Sequence, residues 1–130
     1  MNEPKILAIE DNQDIREALR DILTFEGMLV IVAENGQEGI DKAKEHLPDL
    51  ILCDLMMPIK NGLQVFDELR HNIDLKNTPF IFLTAKVDND GIRQIILGAD
   101  DAVITKPFEI DVLLSSIKIT LKKIEERKND

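Results

Sequence analysis

Cysteine occurs once, at Cys53, and tryptophan and tyrosine not at all. A lone thiol cannot close an internal disulfide, and the apolar residues around it mark Cys53 as a small buried filler rather than a reactive group. Positive charge is scarce. Lys and Arg number 16 against 25 Asp and Glu, a formal net charge of −9. That balance argues against unaided binding to nucleic acid or an anionic membrane, although an acidic surface still attracts cations and basic protein patches. No apolar run is long enough to span a bilayer, and MNEPKILAIE lacks the apolar core of a signal peptide. A cytoplasmic protein is expected. Linkers, long repeats and low-complexity tracts are missing too. With 44% hydrophobic and 32% charged residues in 130, the chain reads as one globular domain, 1–130 with its core at about 4–124.

Short apolar runs alternate with helix-periodic segments. KILAIE, MLVIVA, DLILCD, PFIFLT and DAVIT predict five strands of the buried kind found in parallel sheets. Ile15, Ala18, Leu19, Ile22 and Leu23 form the stripe of a first helix, with a capping box expected at Asp14 and Glu17 and a stop at Gly27. The next helix carries Ile40, Ala43 and Leu47 and ends near Pro48. A third carries Leu63, Phe66 and Leu69, and a fourth Ile92, Ile95, Ile96 and Ala99. The last buries Ile110, Leu113, Leu114, Ile117, Leu121 and Ile124, then frays into EERKND. Successive βα units imply a parallel sheet covered by helices on both faces.

The stretch LILCDLMMP sets an acid, Asp54, directly after four apolar residues. A buried carboxylate is costly without compensation, so its position calls for a use. In open α/β sheets, ligands bind at the carboxyl ends of the strands. Strand one ends at Glu10 and Asp11, strand three at Asp54, strand four at Thr84, and strand five meets Lys106. Singly, each acid could cap a loop, Thr84 could be a strand-end hydroxyl, and Lys106 a solvated charge. Together they make a hard-cation site facing a phosphate. Oxygen ligands suit Mg²⁺, while lysine and threonine supply charge and a hydrogen bond to the anion. His46 and His71 fall outside this cluster, and the Met56-Met57 pair lacks the Cys or His of a soft-metal site.

The chain resembles the receiver domain of two-component response regulators over nearly its full length. The resemblance rests on the acidic pair Glu10-Asp11, on Asp54, Met57, Pro58, Asn61 and Gly62, on Thr84-Ala85, and on Lys106-Pro107-Phe108. It implies a flavodoxin-like (βα)5 three-layer sandwich, with a parallel five-stranded sheet of order 2-1-3-4-5, as in the family's chemotaxis relative. By position, Asp54 would accept a phosphoryl group from a phosphohistidine on a sensor histidine kinase or phosphotransfer protein. Asp11, Asp54 and the backbone carbonyl of Met56 would hold Mg²⁺, with Glu10 helping directly or through water. Lys106 and Thr84 would bind phosphoryl oxygens, small Ala85 would leave the approach open, and Pro107 would follow a cis peptide bond. Such a protein is a switch that assists its own phosphorylation and dephosphorylation, not a turnover enzyme. No output domain is expected within the chain. Its output partner is unknown, and the face of the fourth helix, fifth strand and last helix would be the signalling and possible dimer surface. Val112 and Ile119, opposite the buried stripe of the last helix, support that face.

Two enzymes or cofactor binders share parts of this pattern. A flavodoxin-like FMN protein needs a phosphate-holding loop of Gly, Ser or Thr after strand one, where EDNQD presents acids. A phosphatase of the haloacid dehalogenase kind needs a second acid two residues after the nucleophile, where Met56 stands, and usually a cap insertion. A degenerate receiver acting only as a binding module would not need an intact Asp54, Thr84 and Lys106. The chain departs from its resemblance at GADDAVITKPF, one residue longer than usual. Counting back from Lys106 puts Val103 at the switch position; counting forward from Gly98 puts Ala102 there. Neither is aromatic, which sets aside the usual ring rotation. Met56 and Lys86, two beyond the acceptor and two beyond the threonine, should slow loss of the phosphoryl group.

Overall fold

The computed structural model describes residues 3–85 and 100–128. Its elements are β1 (Lys5–Ile9), α1 (Gln13–Phe25), β2 (Leu29–Ala33), α2 (Gly36–His46), β3 (Leu50–Asp54), α3 (Gly62–Arg70), β4 (Phe80–Thr84), β5 (Ala102–Thr105) and α4 (Ile110–Lys128). All four strand pairings are parallel, and the sheet order is β2-β1-β3-β4-β5. The fold is therefore the flavodoxin-like sandwich that the sequence led us to expect. The helix expected around Ile92, Ile95, Ile96 and Ala99 lies outside the described residues.

Strand periodicity divides the core in two. Leu7, Ile9, Ile51, Cys53, Phe80 and Phe82 face α2 and α3, where they meet Ile40, Ala43, Val65, Phe66 and Leu69. Their neighbours Ile6, Ala8, Leu50, Leu52, Ile81 and Leu83 face α1 and α4, against Leu19, Leu23, Leu113, Ile117 and Leu121. The central strands β3 and β4 are buried on both sides, which explains why they read as unbroken apolar runs. Each such buried Leu, Ile or Phe side chain contributes roughly 1.5–3 kcal/mol of transfer free energy.

Helix ends follow local chemistry, with three departures from expectation. Asn12, not Asp14, caps α1: its side chain accepts the N–H of Ile15, so the helix begins earlier and Asp14 lies inside its first turn. Gly27, at φ +86°, follows the end of α1 as expected. Ile110 is half exposed rather than buried, because it opens α4 before the helix has reached the sheet. The last helix does not fray at EERK but continues to Lys128. An unanticipated capping box opens α3, where Asn61 and Gln64 exchange hydrogen bonds of 2.8 and 2.9 Å.

Candidate functional site

Parallel strands deliver their carboxyl ends to one edge, and that edge carries the polar residues. Glu10 follows β1 and is fully buried; its own N–H donates to the Ala33 carbonyl of β2. Asp54 closes β3 and is 6% exposed, Thr84 closes β4 and is buried, and Lys106 follows β5. Carboxylate oxygens of Glu10, Asp11 and Asp54 lie within 4.8 Å of one another. The Lys106 ammonium donates to Glu10 Oε1 at 2.6 Å and stands 3.3 Å from Asp54 Oδ2. Its backbone N–H donates to the Thr84 carbonyl at 2.6 Å, tying the lysine to the end of β4. The Lys106-Pro107 peptide is cis. Ala85, next to Thr84, is exposed. Arg16 of α1 holds the Glu10 carbonyl at 3.0 Å, which fixes the turn that presents Asp11.

Among the described residues, three carboxylates share this edge with one ammonium, so their charge is unbalanced. Burial pushes Asp54 up from its ordinary 3.8 to about 7, assisted by the Glu10 carboxyl against it, while Lys106 pulls the other way. Burial lowers Lys106, but its hydrogen bond to Glu10 and the charges of Asp54 and Glu10 outweigh that and raise it. Burial first, then the Asp54 and Glu10 charges, pushes the Cys53 thiol upward, so it stays protonated and inert, as a filler should. An all-oxygen donor set with surplus negative charge fits a hard divalent cation and does not fit a thiophilic one.

The loop between β3 and α3 frames the site. Met56 donates its N–H to Asp54 Oδ1 at 3.3 Å, and its side chain is 73% exposed. Lys86, expected beside it, lies outside the described residues. Gly62 does more than punctuate a turn. A Cβ there would sit 2.6 Å from the Asp54 carbonyl oxygen and 3.0 Å from Leu55 Cα, so only glycine lets α3 start against the strand end. On the other side of Lys106, Ile15, Ala18, Leu19 and Ile22 of α1 and Pro107 and Phe108 line an apolar groove of about 440 Å³. His46 and His71 are remote from the edge, the first at the end of α2 and the second after α3.

One partly buried ion pair was not foreseen. Arg70, ending α3, directs its Nη2 to both carboxylate oxygens of Asp101 at 2.6 and 2.7 Å, and Asp101 also accepts the Phe80 N–H at 2.8 Å. The guanidinium further donates to the Lys76 and Thr78 carbonyls and lies 4.4 Å from the Phe66 ring centroid.

Comparison with known proteins agrees with this geometry. The sequence model of the response regulator receiver domain matches residues 6–118. Response regulator ArlR of Staphylococcus aureus is 40% identical over 120 residues, covering 92% of this chain and 53% of that protein. The chain thus spans about half the length of the curated relatives it matches. Chemotaxis response regulator CheY4 of Vibrio cholerae superposes with a TM-score of 0.83 at 28% identity, covering 91% of this chain and 98% of that one. A signal receiver domain of a histidine kinase from Syntrophus aciditrophicus gives 0.83 at 35% identity, covering 93% and 92%. No helix among the described residues is long and apolar enough to cross a membrane.

Proposed function

This chain belongs to the response regulator receiver family, and we propose that Asp54 is its phosphoacceptor in a Mg²⁺-dependent phosphorelay. The observation that carries the reading is the meeting of Asp54 with Glu10, Asp11 and Lys106 at one strand edge. An Asp54 carboxylate oxygen attacks phosphorus, the P–N bond of the donor phosphohistidine breaks, and its electron pair returns to the imidazole. An aspartyl phosphate and a free histidine result. Ionised Asp54 needs no general base, so positioning and charge stabilisation carry the reaction. Glu10, Asp11, Asp54 and the Met56 carbonyl would hold Mg²⁺, which would supply the positive charge that lets an anionic donor approach. Lys106, now paired with Glu10, is within reach of a phosphoryl oxygen on Asp54, and Thr84 donates its hydroxyl to another.

The donor is a sensor histidine kinase or phosphotransfer protein in the cytoplasm, and the apolar groove beside Lys106 gives it a surface adjoining Asp54. Output is read on β5, α4 and the segment before them, where Val112 and Ile119 are about half exposed. Dimerisation through that face belongs to the same proposal. The chain carries no turnover activity in this reading; it is modified once and relaxes. Acetyl phosphate labelling with mass spectrometry tests it. Adduct at Asp54 in Mg²⁺, lost in Asp54→Asn and in EDTA, is expected. Equal labelling of Asp54→Asn would sink the assignment, and labelling that persists in EDTA would sink the metal role.

A further inference from the structure

We infer that Glu68 of α3 is a positioning residue for this site, acting through Lys60 on the turn that sets the backbone of Met56. The inference rests on the reading of Asp54 and the Met56 carbonyl as part of a Mg²⁺ site.

The loop between β3 and α3 contains a strained turn. Ile59 has φ 72°, and the N–H of Lys60 donates to the Pro58 carbonyl at 2.8 Å, closing a three-residue turn around it. A β-branched residue rarely adopts positive φ, and the conformation persists only where surrounding structure holds it. Burial does not hold Ile59, whose side chain is 72% exposed. Lys60 does. Its ammonium donates to Glu68 Oε1 at 2.8 Å, and Glu68 Oε2 lies 3.5 Å from Lys44 of α2. The hydrogen bond from Lys60 holds the Glu68 carboxyl below its ordinary range. From the other side, the start of α2 abuts the turn: a Cβ on Gly36 would lie 2.2 Å from the Lys60 carbonyl oxygen. The far end of the loop is closed by Gly62 N–H to the Leu55 carbonyl at 3.0 Å.

With ends and apex fixed, Met56 keeps a set relation to Asp54. With the apex released, Ile59 relaxes to negative φ and the loop loses that relation. A merely structural ion pair, about one-third exposed as this one is, would leave cation affinity unchanged.

The test compares wild type, Glu68→Ala, Ile59→Gly and the double variant. Mg²⁺ affinity is measured by titration calorimetry, and Lys60 amide exchange by NMR in metal-free buffer. Glu68→Ala should weaken Mg²⁺ binding about three- to fivefold and speed exchange at Lys60, consistent with one partly exposed contact. Glycine tolerates positive φ, so in the Ile59→Gly background the loss caused by Glu68→Ala should be smaller. Wild-type Mg²⁺ affinity in Glu68→Ala, or an equal loss in both backgrounds, overturns the positioning role. If wild type itself binds no Mg²⁺, the phosphoacceptor reading has failed first and takes this one with it.

Discussion

Replacing Asp54 by asparagine should stabilise the metal-free protein, and only at high pH. The folded chain holds the Asp54 carboxyl at about 7, against 3.8 ordinarily, because burial and the adjacent Glu10 disfavour its charge. Between those values the folded state keeps a proton that the unfolded state has released. Stability therefore falls as pH rises from about 4 to about 7 and is level above that. Three pKa units correspond to about 4 kcal/mol, an upper bound on what ionising Asp54 costs the fold. Asparagine removes that cost but introduces an amide whose bonds are imperfect, a penalty of roughly 1–3 kcal/mol. Lys106 keeps its 2.6 Å bond to Glu10 and is not stranded.

A net gain of about 1–3 kcal/mol at about pH 8 follows, shrinking toward zero or reversing near pH 5. The chain has no Trp or Tyr, so urea unfolding is best followed by far-ultraviolet circular dichroism in EDTA. Excess Mg²⁺ should erase much of the difference, because a cation at ten times its Kd stabilises wild type by about 1.4 kcal/mol and the variant by less. A wild type more stable than Asp54→Asn at high pH without metal, or a difference that ignores pH, would refute the repulsion argument.

Mg²⁺ binding should weaken by about tenfold per pH unit below the Asp54 pKa of about 7, since one proton must leave; calorimetry across that range checks it. Gly62→Ala forces a Cβ against Asp54 and Leu55 backbone, and should cost about 1–3 kcal/mol in urea unfolding while slowing acetyl phosphate labelling. Arg70→Lys keeps charge but cannot hold Asp101 and the Lys76 and Thr78 carbonyls at once, and a loss of about 1–3 kcal/mol is expected; a loss under about half a kcal/mol would show the bridge to be incidental. Met56→Asn places an amide beside Asp54 that can orient water, so the phosphorylated protein should decay several-fold faster in Mg²⁺ buffer, measured as loss of the adduct mass.

The parts of this molecule legible in its sequence share a physical property: they are repeated or they converge. Five apolar runs are strands as expected, although the edge strands β2 and β5 are only partly buried, and parallel strands put Glu10, Asp54, Thr84 and Lys106 on one edge whatever the loops do. What escaped is decided by single contacts between distant segments. Nothing local marks Arg70 and Asp101 as an ion pair, or Glu68 as the anchor of Lys60. A positive φ at Ile59 runs against residue preference and so sends no signal. The first cap was misplaced because Asn12 and Asp14 both suit the role, and only the backbone turn after β1 chooses between them.

The extra residue of GADDAVITKPF shows how the two kinds of information combine. β5 pairs with β4 so that Val103 stands beside Phe82 and Thr105 beside Thr84, immediately before Lys106. Just before the strand, Asp101 turns in to Arg70 and the Phe80 N–H. Val103 occupies the position three before the lysine and packs into the cluster of Phe66, Phe80 and Phe82, while Ala102 points to the opposite core. Valine is short and stiff about χ1, so it has no ring to swing between buried and exposed positions. Among the described residues, β5 is coupled to Thr84 by the bond from Lys106 N–H to the Thr84 carbonyl and by the β4–β5 register. The Arg70–Asp101 bridge holds the start of β5, and the Lys106 bonds to the Thr84 carbonyl and Glu10 hold its end, so β5 is tied to the site at one end and to α3 at the other.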